Sequence, residues 1–255
     1  MLRIDLNSDL GESFGPWQMG QDEALMGSVT SANIACGFHA GDPSVMRRTI
    51  ALAQAHGVAV GAHPGFPDLA GFGRREMQAS PAEVEDLVLY QIAALVGVAA
   101  AQGVRVQHVK AHGALYNMAA RDAALAGAVA RAVAAFDSSL ILFGLPNSEL
   151  LREGDKAGLR VAAEVFADRT YEGDGSLTSR RRPGSVIHDP STVVARAVRM
   201  VQTGAVETTD GSTLALRADT LCLHGDTPGA ADLARQIRTA LETAGIAVAA
   251  LTTAM

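Results

Sequence analysis

The sequence predicts a parallel α/β barrel of seven or eight strands in a single domain. Three observations predict it. Short apolar stretches alternate with longer Ala/Leu/Val-rich helical ones along all 255 residues, and repeated βα units of this kind build a parallel sheet. No Pro-, Gly- or Ser-rich linker divides the chain. No Gly-x-Gly-x-x-Gly follows the first strand, so the dinucleotide-binding version of an open doubly wound sheet has no positive signal.

The elements follow in order. Residues 2–7 read as the first strand, and a weak helix lies near Asp22–Ser28. Residues 31–36 are the second strand. Asp42-Pro43-Ser44 then opens a helix to about Gln54, with Asp as cap and Pro in the first turn, and Gly57 closes it. Residues 58–62 form the third strand, followed by a Gly/Pro-rich loop from Pro64 to Ala79. Ser80-Pro-Ala-Glu83 is a capping box that starts a long helix to about Ala101. Residues 105–111 are the fourth strand, and the residues after it to Asn117 read as a loop. A helix over Asp122–Ala135 leads to a fifth strand at 139–144, a short helix near Ser148–Ala157 and a sixth strand at 160–166. The stretch Ala167–His188 is irregular and long enough to be a lid or binding loop. Asp189-Pro-Ser191 opens a helix to about Gln202, and the Asp210-Gly211 turn predicts a small hairpin within 205–216. Residues 219–223 are the seventh strand. Thr227-Pro-Gly229 opens a helix to about Thr243, and 246–251 is a candidate further strand.

Composition narrows the function classes. Formal net charge is −6, which gives no general attraction to nucleic acid or to anionic membranes. The basic run Arg180–Arg182 is short and reads as a solvated loop. Cys36 and Cys222 are not in a C-x-x-C spacing and read as free buried thiols of a reducing compartment. The N-terminus has no leader-like pattern and no stretch approaches about 18 apolar residues, so a soluble cytoplasmic location is expected.

In α/β barrels the chemistry sits at the C-terminal ends of the strands, and that is where the polar residues of this chain collect. The first strand carries Asp5, Asn7 and Asp9 on one face, then Glu12. The second ends in Phe38-His39-Ala-Gly-Asp42, the third in His63, and the seventh in His224-Gly-Asp226. The sixth carries Glu164, with Asp168 and Arg169 beyond it. The fourth is the most unusual: His108, Lys110 and His112 share one face by the period of two, and Tyr116 follows. A buried lysine must be paired, shift its pKa or meet a ligand; Asp5 and Glu164 are the expected neighbours of Lys110. Of the seven histidines, five (His39, His63, His108, His112 and His224) fall at strand ends. The glycines beside them, Gly61 and Gly113 among them, are expected to let backbone approach a ligand. Helices starting at Asp42-Pro43 and Thr227-Pro228 aim positive ends at the same mouth, which suits an anionic ligand.

General acid–base chemistry fits these residues best. No Gly-x-Ser-x-Gly elbow supports a nucleophilic triad. His108 and His112 have metal-like spacing only on a helix; on a strand they stand roughly 13 Å apart, at ~3.3 Å per residue. No metal ligand is therefore assigned, and a bound metal stays open.

The same residues carry a resemblance. Asp5-Leu-Asn-Ser-Asp-Leu-Gly-Glu12, Ala32-Asn-Ile-Ala-Cys-Gly-Phe-His-Ala-Gly-Asp42, Gly61-Ala-His-Pro-Gly65, Phe72-Gly-Arg-Arg75, Val109-Lys-Ala-His-Gly-Ala-Leu-Tyr-Asn117 and Leu223-His-Gly-Asp226 resemble the signatures of the LamB/YcsF family. The segment Glu164–Tyr171 fits as well, with Thr170 before the tyrosine. The resemblance runs from residue 2 to the end. It implies a distorted seven-stranded β/α barrel of the type shared with polysaccharide deacetylases. It also implies the A subunit of a bacterial ATP-dependent 5-oxoprolinase, a hydrolase that opens the lactam of 5-oxoproline to L-glutamate and is active only with subunits B and C. ATP would be a co-substrate of the complex, since this chain has no Gly-x-x-x-x-Gly-Lys-Ser/Thr loop.

On that resemblance, Lys110 and Arg169 would offset phosphate or carboxylate charge. His112 or Glu164 would activate water, and His63 or His224 would protonate the leaving nitrogen. Asp5, Asn7 and Asp9 would orient these groups, while Glu12, His39, Asp42, Tyr116 and Asp226 complete the substrate side. Two other readings compete: a metal-dependent, deacetylase-like amidohydrolase, and a non-catalytic lactam-binding scaffold. The oligomeric state is open, a homo-oligomer included.

Overall fold

A computed structural model describes residues 2–223 and 229–252. Its centre is a closed barrel of seven parallel strands: β1 (Arg3–Leu10), β2 (Ser31–Ala35), β3 (Ala59–His63), β4 (Val106–Lys110), β5 (Ile141–Gly144), β6 (Arg160–Phe166) and β9 (Thr220–Leu223). Each strand pairs with the next, β6 pairs with β9, and β9 returns to β1. Thr220 lies opposite Asp5 on one side and Glu164 on the other. Closure is uneven. Only Asp5–Ser8 of β1 pair with β9, while Arg3 and Ile4 pair with the two-residue strand β10 (Ala247–Val248). The barrel is therefore distorted at that seam. None of the described helices is long and apolar enough to cross a membrane.

The expected helices surround it: α1 (Asp22–Met26), α2 (Pro43–His56), α3 (Pro81–Ala100), α5 (Ala123–Phe136), α6 (Glu149–Lys156), α7 (Pro190–Thr203) and α8 (Ala230–Thr243). Their starts follow from the caps. The Asp42 carboxylate accepts from the Ser44 and Val45 amides, and Ser80 and Glu83 form the reciprocal capping box. The hairpin also forms, as β7 (Ala205–Glu207) and β8 (Thr213–Ala215). One expectation fails: the residues after β4 are not a loop but a helix, α4 (Gly113–Ala119). Ala114, Leu115, Tyr116 and Ala119 bury one face of it, but two turns are too short for a periodic signal, and Gly113 at its head reads as a breaker.

Strand alternation divides the molecule into two media. The outward side chains of β1 (Ile4, Leu6, Leu10) and of β4 (Val109) join the main apolar core under the helices. The inward set is polar: Asp5, Asn7, Asn33, His108, Lys110 and Glu164 are all buried. A small apolar cluster of Ile141, Phe143 and Ala162 interrupts it. An ordinary barrel of this class fills its interior with branched apolar side chains. Here buried polar groups replace them, which is tolerable only where each is hydrogen-bonded or paired.

Candidate active site

The inward residues form a layered network. At the bottom, Asp5 accepts from the hydroxyls of Thr30, Ser31 and Thr220 and is fully buried. Burial pushes its pKa up and these three bonds oppose that. Above it, Asn7 donates to Thr220 Oγ1 (2.7 Å) and accepts from Asn33 Nδ2 (2.7 Å). Asn33 Nδ2 also donates to Asp9 (2.9 Å), which leaves Asn33 Oδ1 to accept from His108 Nε2 (2.8 Å).

Lys110 crowns this network. Its ammonium is 2.8 Å from Asp9 Oδ1, 2.9 Å from Glu164 Oε1 and 3.1 Å from Cys222 Sγ. Burial disfavours the charged amine, but Asp9, Cys222 and Glu164 outweigh it, and the lysine pKa stands well above its ordinary value. Asp9 is held correspondingly low: burial works against the carboxylate, and His63 and Lys110 overcome it. The expected partnership of Lys110 with Asp5 is corrected to Asp9. Asp5 is four residues earlier on the same strand face, two side chains too deep, with Asn7 between. Glu164 is a partner as expected. Tyr116 lies over the same carboxylate; burial first, then the charge of Glu164, drive its pKa well up.

Beside Lys110 stand the histidines. His63 Nδ1 donates to the carbonyl of Lys110 (2.8 Å), and its Nε2 lies 2.9 Å from His112 Nδ1 and 3.3 Å from Asp9 Oδ2. His112 Nε2 donates to the carbonyl of Phe72 (2.9 Å). His39 stacks on His112 with ring centroids 3.8 Å apart. One donor atom each of Glu12, His39, His63 and His112 lies within 4.8 Å of the others, so these four could hold a metal ion. They come from four separate segments, which spacing along one strand does not reveal.

An open cavity of about 1140 Å³ lies over this floor, lined by Asp9, His63, Lys110, His112, Tyr116 and Arg169. Arg74, Arg180 and Arg181 line it too, giving a cationic wall in a chain whose net charge is −6. Residues 174–181 of the long irregular stretch form part of that wall. The stretch is held in place by Arg169, whose guanidinium donates to the carbonyls of Thr178 (2.6 Å) and Ser185 (3.2 Å). Burial, and then Arg180, lower its pKa to about 10.

Other expected residues stand apart from the cavity. Asp42 spends one oxygen capping α2 and the other on the Gly15 amide (2.8 Å). Asn7, Asp5 and Glu164 support the floor from beneath. His224 and Asp226 lie outside the described residues, as do Gly225 and the Thr227-Pro228 helix start. The reading of Gly61 as a site of ligand approach is corrected: a Cβ there would sit 2.0 Å from His108 Nε2, so its bareness makes room for that ring. Sequence reasoning missed Asn33 and Cys222. A polar residue in the middle of the fully buried β2 was the available signal for Asn33. Cys222 carries no such signal, because its sequence context is that of any core thiol.

A profile of the LamB/YcsF family matches residues 4–255. The chain belongs to the LamB/YcsF family. It is 62% identical over 247 residues to the 5-oxoprolinase A subunit of Bordetella pertussis, covering 97% of this chain and 98% of that one. It is 60% identical to the 5-oxoprolinase A subunit of Methylococcus capsulatus, covering 97% and 95%. The crystal structure of the lactam utilization protein of Thermus thermophilus superposes with a TM-score of 0.93 at 52% identity, covering 98% and 100%. A peptidoglycan N-acetylglucosamine deacetylase domain of Eubacterium rectale reaches a TM-score of 0.53 at 13% identity, a likeness of fold.

His108 gives this network a pH signature. It is fully enclosed, stacked on Phe143 at 4.3 Å, and burial, then Lys110, lower its pKa to about 3. In the unfolded chain a histidine titrates near 6.5. Between those values the unfolded state takes a proton that the folded state refuses, so stability falls as pH drops below about 6.5. The slope from this one group is at most about 1.4 kcal/mol per pH unit. Urea midpoints measured from pH 7 to pH 5 should fall more steeply for the wild type than for His108→Gln. Parallel curves would assign the acid sensitivity elsewhere.

Proposed function

We propose that this chain is the A subunit of an ATP-dependent 5-oxoprolinase and acts with two partner subunits, B and C, to open 5-oxo-L-proline to L-glutamate. The observation that carries the reading is the 62% identity, over nearly the whole of both chains, to a relative bearing that name. The site is chemically suited to it. The substrate is a cyclic amide with a carboxylate. Its carbonyl is a poor electrophile, which is why coupling to ATP helps: phosphorylation of the carbonyl oxygen, releasing ADP, activates the ring carbon to water. The C–N bond then breaks with protonation of the nitrogen, and a second water splits the resulting acyl phosphate into glutamate and phosphate.

Placement supports the following division of labour. Arg74, Arg180 and Arg181 offset the charge of the carboxylate or phosphoryl group entering the cavity. Lys110, fixed between Asp9 and Glu164 on the floor, offsets the charge of the phosphorylated carbonyl oxygen. Of the two candidate bases, His112 lines the cavity and Glu164 does not. Water activation and return of a proton to the leaving nitrogen therefore fall to the cluster of His63, His112, Asp9 and Glu12, and Glu164 serves Lys110. Tyr116 and Asn7 keep the floor in register.

The test is reconstitution. Glutamate formation from 5-oxoproline should require this chain, both partners and ATP together, and the chain alone should give none. Arg181→Ala should raise KM for 5-oxoproline about tenfold, the loss of one charge-assisted contact, with a smaller effect on kcat. Full turnover by subunits B and C without this chain would refute the assignment.

A further inference from the structure

The histidine cluster contains an electrostatic contradiction as it stands. The Lys110 carbonyl can only accept, so His63 must carry its proton on Nδ1, and its Nε2 presents a lone pair. The Phe72 carbonyl likewise fixes the His112 proton on Nε2, and Nδ1 presents a lone pair. These two lone pairs face each other at 2.9 Å. Around them are more acceptors. Asp9 Oδ2 is 3.3 Å from His63 Nε2, and Glu12 Oε1 is 3.7 Å from His112 Nδ1 and 3.6 Å from His39 Nε2. His39 is fully buried, and neither of its ring nitrogens has a hydrogen-bond partner among the described residues. So many inward electron pairs require a cation.

A shared proton would answer one gap, between His63 and His112, and would leave His39 unanswered. A metal ion answers the facing lone pairs of His63 and His112 and takes one ring nitrogen of His39 as well. We propose that Glu12, His39, His63 and His112 bind a divalent transition-metal ion of the zinc class. Imidazole donors select that class over the oxygen-seeking magnesium and calcium. The donor atoms lie within 4.8 Å of one another; a tetrahedral zinc site with bonds of about 2.0–2.1 Å has edges of about 3.3 Å, so a small contraction suffices. The outer hydrogen bonds of His63 and His112 are those a metal-bound histidine makes, each ring donating its far N–H to a backbone carbonyl.

The rings are also packed in place. A Cβ at Gly73 would lie 2.7 Å from His39 Cβ and 2.8 Å from His112 Cδ2, and one at Gly65 would lie 2.7 Å from His39 Nδ1. His39 lies flat on His112, with 4° between planes, so its nitrogen joins by a tilt of the ring and is the weakest of the four ligands. Such an ion supplies Lewis acidity and an acidified water on the side of Asp9 away from Lys110. This inference does not depend on the lactam reading, because its test reads binding rather than turnover.

The full chain is stripped with chelator, checked by circular dichroism and titrated with Zn²⁺ calorimetrically and with Co²⁺ by visible absorption. One equivalent should bind, Co²⁺ should give the intense bands of a four-coordinate site, and Mg²⁺ should not compete. His63→Ala and His112→Ala should weaken Zn²⁺ binding on the order of 100-fold or more and His39→Ala on the order of tenfold. His56→Ala, at the exposed end of α2, should change nothing. If the cluster variants fail to fold, the imidazole ¹⁵N resonances of the wild type decide: those of His63 and His112 should move on addition of Zn²⁺. Unmoved resonances, or binding that survives in a folded His63→Ala/His112→Ala protein, would overturn the site and leave a shared proton as the cation.

Discussion

Lys110→Met should abolish turnover in the reconstituted complex and markedly destabilise this chain. The side chain is 3% exposed and its ammonium is the counter-charge for both Asp9 and Glu164. Methionine fills a similar volume but leaves two carboxylates facing each other in a buried site. Breaking a buried ion pair from one side costs about 3–5 kcal/mol. For catalysis, loss of a fixed cation at the carbonyl oxygen costs about 10²–10³ in kcat, and misplacement of Asp9 adds to it. The two effects separate by pH. Without the ammonium, Asp9 loses one of the charges that hold its folded-state pKa well below that of the unfolded chain, near 4, and burial pushes it back up. A carboxyl group with a depressed folded pKa contributes stability above its unfolded pKa and loses it as pH falls through the folded value. The stability deficit of the variant should therefore shrink as pH is lowered from 7 to below about 4, where the wild type gives up the same contribution, while activity stays lost. Lys110→Arg should keep part of the stability and little of the turnover. A folded Lys110→Met complex with wild-type kcat would remove Lys110 from the chemistry and favour a lactam-binding scaffold.

What the sequence made legible is the part governed by local rules. Asp42-Pro43 and Ser80-Pro81 announce their helices because caps act within four residues. The strands announce themselves as apolar runs between turn residues, and the period of two correctly puts His108 and Lys110 inside with Val109 outside. Partnerships across the barrel are another matter. Whether Lys110 meets Asp5 or Asp9 depends on the stagger between β4 and β1, which are not neighbours and share no backbone ladder. Asp5 and Asp9 have the same parity, so alternation cannot choose between them; the tilt of the closed barrel does. The meeting of Glu12, His39, His63 and His112 is hidden for the same reason: four segments, each with one donor, converge only after closure. Gly61 misled because a glycine at a strand end has two physical uses, and sequence does not say whether the neighbour it admits is a ligand or another side chain.

That other use makes Gly61→Ala the most damaging single-methyl change expected in the barrel. The backbone is not at fault, since Gly61 is extended β3 and outside the left-handed region. The methyl group is. It would lie 2.0, 2.2 and 2.4 Å from three atoms of the His108 ring. The ring has nowhere to go. Phe143 stacks on it at 4.3 Å and 8°, and its Nε2 is tied to Asn33 Oδ1, while Asn33 Nδ2 donates to Asn7 and Asp9. Gly61 and His108 are also paired across β3 and β4, so opening the gap means parting the strands. Overpacking of a core costs about 1–3 kcal/mol, and a broken buried hydrogen bond that orphans Asn33 adds about 1–3 more. A loss of at least about 3 kcal/mol by urea denaturation is expected from these two costs together. Turnover should fall too, because Lys110 is only two residues beyond His108 on the displaced strand. The cause is testable by coupling. His108→Ala alone should destabilise through its cavity, but Gly61→Ala added to it should cost little, giving an interaction energy of about 2 kcal/mol or more. Additive losses would mean that the methyl clashes with something other than the ring, and the tight seating of His108 beneath Lys110 would no longer explain why β3 carries a glycine here.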